Sequence, residues 1–166
     1  MVRKKIINYD EKGNISTEVH YNEFDDIIYC KKESGFEEWR EIDEKGNMTH
    51  YKNSEGLEEW LDHNENGKII HYKNSNGIEY WEEYDDNNNL IHFYDSDDNE
   101  SWWEYDESGN EIHHKTTNGY EEWREYDEDD RMIHYKDTDG FEYWNEYDEY
   151  GNKISTGKIL TTANDY

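Results

Sequence analysis

The sequence predicts an all-β fold: antiparallel β-hairpin tandem repeats in 21-residue units, forming an elongated, twisted, largely single-layer or coiled meander sheet. Three observations predict it. Tryptophan recurs at Trp39, Trp60, Trp81, Trp102, Trp123 and Trp144, always 21 residues apart. Each step holds two short segments rich in aromatic and β-branched residues, set between two turn signals. Apolar residues do not recur at helical spacing, and glycine interrupts the chain too often for helices.

The first element of a unit is a strand, written "FEEWREID" at residues 36–43. The turn "DEKGN" follows, with Gly46 where a three-residue hairpin loop takes a left-handed residue and a bulge. The second strand reads "MTHYK" or "IIHYK". The second turn holds Asn76-Gly77, Asn118-Gly119 or Asp139-Gly140, the signal of a two-residue hairpin loop. Residues 35–152 form the regular repeats of a single domain. Residues 1–34 read as a degenerate repeat or cap, with Tyr29 and Cys30 in the places of His50 and Tyr51. Residues 153–166 read as a C-terminal cap.

Those turns imply a register. A loop of residues 44–46 makes paired numbers sum to 90, and a two-residue second loop makes them sum to 111. One cross-strand aromatic row then runs Trp39, Tyr51, Trp60, Tyr72, Trp81, Phe93, Trp102, His114, Trp123, Tyr135, Trp144. Ile70, Ile91, Ile112 and Ile133 share that face. The histidines His50, His71, His92, His113 and His134 fall on the opposite face. A parallel solenoid would stack identical carboxylates about 4.8 Å apart, whereas the meander places a lysine-bearing strand between copies.

Composition bounds the function. Of 166 residues, 44 are acidic and 17 basic, a formal net charge of -27. Mean hydropathy is -1.49. That balance disfavours direct binding of nucleic acid or of an anionic membrane and fits a basic partner. Aromatic residues make up 16% of the chain, which argues for a folded protein with a thin aromatic core. The single cysteine, Cys30, cannot form an internal disulfide. The start "MVRKKIINYD" lacks the apolar run of a signal peptide, so the expected location is the cytoplasm of a bacterial host cell.

The pieces at residues 9–14, 105–110 and 147–152, each reading "YDxxGN", resemble the YD (Rhs-type) repeats. The resemblance implies continuous β-hairpin sheets, which that family builds in large secreted toxins and wall proteins. The chain also looks like the small acidic tandem-repeat proteins of phages and mobile elements. Neither likeness supplies a function.

Candidate sites follow from the repeat. Successive histidines lie two strands apart, too far to share one zinc ion, so a His ladder reads as scaffold. The acidic turns at residues 95–98 and 127–130 lack the full EF-hand pattern. No catalytic residue, metal site or cofactor is expected: no phosphate loop or nucleophile motif is present, and a copied pattern is unlike the single asymmetric constellation of an enzyme. The expected partner is a basic protein. Its contacts would be the carboxylates Glu37, Glu38, Glu41, Asp43, Glu58, Glu59, Glu82, Glu83, Asp85, Asp86, Glu104, Asp106, Glu121, Glu122, Glu125 and Asp127. Exposed members of the aromatic row would act as anchors. Regular carboxylates imitate a phosphate backbone, so the leading expectation is an inhibitor of a nucleic-acid-handling protein, of anti-CRISPR or anti-restriction type. An immunity protein against a basic toxin predicts the same surface. A structural or carbohydrate-binding module would use the aromatic row instead.

Overall fold

A computed structural model describes residues 1–160 as fifteen β-strands. They are β1 (Lys4–Tyr9), β2 (Ile15–Tyr21), β3 (Ile27–Lys32), β4 (Glu37–Ile42), β5 (Met48–Asn53), β6 (Glu58–His63), β7 (Ile69–Asn74), β8 (Glu79–Tyr84), β9 (Leu90–Asp95), β10 (Glu100–Tyr105), β11 (Glu111–Thr116), β12 (Glu121–Tyr126), β13 (Met132–Asp137), β14 (Phe141–Tyr147) and β15 (Lys153–Leu160). The strands follow chain order in one open antiparallel sheet, so the meander holds and the solenoid does not. Two compact units divide the chain, residues 1–81 and 82–166. Of the segment expected to be a C-terminal cap, Lys153–Leu160 is β15; its last six residues lie outside the described ones.

The "DEKGN" turn forms as its residues dictate. Asp43 N–H donates to Asn47 O at 2.9 Å, and Gly46 N–H to Asp43 O at 3.2 Å. The Asp43 carboxylate also accepts the N–H groups of Lys45 (2.9 Å) and Asn47 (2.8 Å), an Asx turn.

The second turn corrects the sequence reading. It is a three-residue loop, not a two-residue one: Asn74 N–H donates to Ile78 O at 2.9 Å, and Gly77 N–H to Asn74 O. Only Gly77 of the Asn76-Gly77 pair has positive φ, whereas a type I′ loop needs both. The Asn74 side chain makes the difference, because its Oδ1 caps the N–H groups of Asn76 and Ile78.

A second correction concerns register. Each "DEKGN"-type hairpin has a β-bulge just beyond the turn. In β4/β5, Ile42 pairs with Met48 but Glu41 pairs with His50, leaving Thr49 as the extra residue. Ile70, Ile112 and Ile133 hold the same bulge position in later hairpins, so they are not a cross-strand row. Beyond the bulge paired numbers therefore sum to 91 across β4/β5, not to 90, and the three-residue second loop makes them sum to 110 across β5/β6, not to 111. Trp39 faces Lys52, Tyr51 lies beside Arg40 and Glu59, and His50 faces Trp60. A one-residue slip exchanges the faces of a strand. The tryptophans of the 21-residue series and His50, His71, His92, His113 and His134 thus share one face, while Tyr51, Tyr72, Phe93, His114 and Tyr135 lie on the other, with Trp103 stacked on His114.

Both faces meet solvent. Among the described residues no apolar side chain is buried; the buried residues are Asn22, Asn74, Glu122 and Asn145. The sheet is therefore held by its backbone ladder, its capped turns and cross-strand pairs worth about 0.2–1 kcal/mol each, rather than by a dry core.

Candidate binding face

The tryptophan face repeats one arrangement. Each imidazole sits between two carboxylates and stacks on an indole of the next strand. In the first unit, His50 Nε2 lies 2.9 Å from Glu58 and Nδ1 3.6 Å from Glu41. His71 lies 3.0 Å from Glu79 and 3.2 Å from Asp62. Their rings stack on Trp60 and Trp81 at centroid distances of 5.5 and 4.9 Å. In the second unit, His92 joins Glu83 and Glu100, His113 joins Glu104 and Glu121, and His134 joins Glu125 and Glu142. These three stack on Trp102, Trp123 and Trp144 at 4.9–5.3 Å with interplanar angles of 8–9°. Burial alone would lower the His134 pKa, but hydrogen bonds to Glu142 and Glu125 outweigh it and raise the pKa above the ordinary histidine value.

The carboxylates expected to meet the partner separate into three groups. Asp43, Asp85, Asp106 and Asp127 serve their own turns, accepting backbone N–H groups at 2.8–3.0 Å. Asp86 stands exposed in the turn after Asp85. A second group is taken up by cross-strand or same-strand partners. Glu37 binds Lys31 and Tyr29; Glu38 binds Arg40 and Tyr51. Glu59 accepts from the Tyr72 hydroxyl, Glu82 from that of Tyr84. Glu58 and Glu121 hold histidines. Glu122 is buried beneath Tyr120, Tyr135 and Arg124.

The third group faces solvent. Glu41, Glu83, Glu104 and Glu125 have side chains 60–75% exposed, each with only a histidine beside it. Asp62 belongs with them at 72%, and the sequence reading missed it although it stands one 21-residue step from Glu41. Within each unit successive members lie two strands and two residues apart, about 12 Å.

The predicted aromatic row does not exist as one line. Trp39, Trp60, Trp81, Trp102, Trp123 and Trp144 lie with the histidines, and the bulges carry Tyr51, Tyr72, Phe93 and Tyr135 to the other face. There the tyrosines anchor carboxylates: Tyr135 donates to Glu122 at 2.8 Å and meets the Tyr120 hydroxyl at 3.1 Å. Burial, then these neighbours, push the Tyr135 pKa far up.

Glu111, His114 and Glu122 are the described residues that come close enough to share a metal ion. The Arg124 guanidinium already bonds both carboxylates, so the cluster is charge-compensated by a fixed cation where a dication would sit. The acidic turns are satisfied in the same sense. Asp127 accepts the Arg131 Nε–H at 2.7 Å, and Asp95 accepts Asp97 N–H and Asn99 N–H at 2.9 and 3.0 Å.

No protein-family model and no curated protein matches the sequence. Solved structures do match the fold. The chain is similar to part of the Photorhabdus luminescens Tc holotoxin pore with TccC3, at TM-score 0.65 and 15% identity over 87% of this chain. It is similar to part of the TcdB2–TccC3–Cdc42 complex and of TcdB2–TccC3, with TM-scores of 0.59 and 0.57, each at 16% identity over 90% of this chain. In all three the match spans 9% of the other chain. The fold is therefore YD-repeat-like.

Proposed function

We propose that the chain is a non-enzymatic acidic repeat module that binds a basic protein through its tryptophan face. The observation that supports this reading is the column of exposed carboxylates Glu41 and Asp62 in one unit and Glu83, Glu104 and Glu125 in the other. These groups have ordered histidines behind them and solvent in front. Many of their neighbours are committed to turns and to pairs, so this column is the regularly spaced strand charge that the face offers a partner.

Magnitude favours a partner that handles nucleic acid. Residues 1–34 hold seven acidic and six basic residues, so 26 of the 27 net charges lie beyond them. Residues 82–166 alone hold 26 acidic and six basic residues, a net charge of -20, and over the seven complete strands of that unit, roughly 4.8 Å apart, this is about one per 1.7 Å of sheet. Duplex DNA carries one per about 1.7 Å and a single strand one per about 3.4 Å. A cleft built for phosphates meets a comparable field here, with fast association that salt weakens. We assign the module to the inhibitor class, of anti-CRISPR or anti-restriction type from a phage or mobile element, acting in the cytoplasm of a bacterial host cell.

The test is inhibition. A panel of nucleases and CRISPR effectors is assayed with the chain at about 50 mM salt and again at about 300 mM. At least one member should be inhibited at low salt, relieved at high salt, and weakly inhibited by a Glu83→Gln, Glu104→Gln, Glu125→Gln variant. Unchanged activity across the panel at low salt overturns the inhibitor assignment. Inhibition confined to a basic secreted toxin moves the assignment to an immunity protein.

A further inference from the structure

On the tryptophan face each indole from Trp60 onward has a histidine on the preceding strand, Trp39 has Tyr29 there, and in most hairpins a lysine stands on the following strand. Lys52 lies opposite Trp39, Lys73 opposite Trp60, Lys115 opposite Trp102 and Lys136 opposite Trp123. Three of these ammonium groups stand over the indole, at 5.4 Å for Lys52, 5.9 Å for Lys115 and 4.7 Å for Lys136. The fold thus uses an ammonium–indole contact as its own repeated unit.

Trp60 and Trp144 depart from the rule. Beside Trp60, Lys73 is drawn away by Glu79, to which its Nζ donates at 2.8 Å. Beside Trp144 the paired residue is Gly157, which has no side chain to offer. These are also the exposed ones, at 40% for Trp60 and 39% for Trp144, whereas Trp39, Trp102 and Trp123 are half-buried. Trp144 has carboxylates two residues away on both sides of its strand: Glu142, paired with His134, and Glu146, which accepts the Ser155 hydroxyl at 2.8 Å.

We propose that Trp144, with Trp60 as its counterpart in the other unit, is an anchor that takes a lysine or arginine side chain of the basic partner over its indole ring. This rests on the reading of the face as a surface for a cationic protein. The occupant is specified by the chain itself, since Lys52, Lys115 and Lys136 fill the equivalent place elsewhere. Delocalised arginine suits the position as well as lysine, because both are attracted to the face of an indole. The carboxylates at either end add a long-range attraction that the ring alone lacks.

Gly157 makes the proposal testable. Its φ is not positive, and a Cβ there would rest 4.0 Å from Trp144 Cε3, an ordinary contact. Gly157→Lys and Gly157→Leu should therefore fold, each laying a side chain over the ring. The probe is a decalysine peptide titrated into the full chain at about 50 mM salt, with affinity read by calorimetry and the Trp144 indole followed by NMR. Trp144→Ala, Gly157→Lys and Gly157→Leu should each weaken binding about two- to fivefold, the range for an exposed cation–indole contact. The Trp144 indole signal should shift on titration in the wild type and stay still in both Gly157 variants. Weakening by Gly157→Lys alone reports added charge and overturns the anchor, as does wild-type affinity in all three. The Glu83→Gln, Glu104→Gln, Glu125→Gln variant separates the two readings: if it binds decalysine as the wild type does, the acidic face itself fails.

Discussion

At Gly46 the chain turns with a φ of 90°, a conformation that costs an L-residue about 1–2 kcal/mol. The same turn position is held by Asn88 at 70° and Asp130 at 58°, residues whose short polar side chains reduce that cost without removing it. Asn88 gains little in return, since its Oδ1 is buried without a hydrogen-bond partner. Gly46→Ala should destabilise the fold by about 1–2 kcal/mol, while Asn88→Gly should be neutral or stabilising by up to about 1 kcal/mol. Urea midpoints of the two variants check this. A loss of more than 1 kcal/mol in Asn88→Gly would show that its side chain does more than occupy the turn.

Each hairpin is closed at its open end by a latch within the repeat. The loop residue Ser75 donates its N–H to Glu58 O at 2.8 Å and accepts Glu58 N–H on its Oγ at 3.0 Å. Ser54 does the same with Glu37, Thr117 with Glu100 and Thr138 with Glu121. Each latch adds one rung beyond the last paired residues of its hairpin and ties the following loop to the hairpin's first strand. Ser75→Ala removes one acceptor from a backbone N–H and should cost about 0.5–1.5 kcal/mol. Ser75→Thr should restore it, as Thr117 and Thr138 do naturally. Hydrogen exchange at the Glu58 amide reads the effect locally. Exchange unaltered in Ser75→Ala would remove the latch from the account.

What the sequence made legible at this scale was the hairpins themselves. Asp43, Gly46 and Asn47 spell a capped three-residue loop, and their copies recur at the repeat length. The bulges left no such mark. Thr49, Ile70, Ile112 and Ile133 are β-branched residues that read as ordinary strand positions, yet each adds the one residue that turns over the rest of its strand. With that residue uncounted, Glu41 and His50 fall on opposite faces, and with the second loop read as two residues so do His50 and Trp60, which leaves the carboxylate–imidazole–indole arrangement invisible. The Asn74 cap before Asn76-Gly77 was a readable signal, because an Asx side chain at the first turn position favours the loop that formed. The charged column was legible in part: Glu41, Glu83, Glu104 and Glu125 are recognisable, but separating them from Glu38 or Glu122 requires the register.

Across the whole molecule these local contacts set an opposed pH dependence. The turn aspartates have lowered pKa values. In Asp10, Asp43, Asp95 and Asp148 the main cause is the side-chain amide of the asparagine closing the turn; in Asp85 and Asp106 it is that asparagine's backbone N–H. A depressed carboxylate pKa contributes stability that is complete above the ordinary aspartate value of 3.8 and is lost as pH falls through the folded value. His134 acts in reverse. Its raised pKa contributes stability that is complete below 6.5 and is lost as pH rises through the folded value. Both contributions are therefore whole only between about pH 4 and 6.5. Self-repulsion points the same way, because a net charge of -27 strains the sheet most when every carboxylate is ionised. Thermal melts followed by circular dichroism should give a maximum Tm between about pH 4.5 and 6.5. The fall above that range should be shallow and largely removed by about 0.5 M salt, which screens the repulsion. The fall below it should be steep and resist salt, because it tracks protonation of hydrogen-bonded turn carboxylates. His134→Gln should flatten the alkaline limb and leave the acid limb in place. A Tm that rises steadily from pH 5 to pH 8 would mean that neither the histidine contacts nor the charge column govern the stability of the sheet.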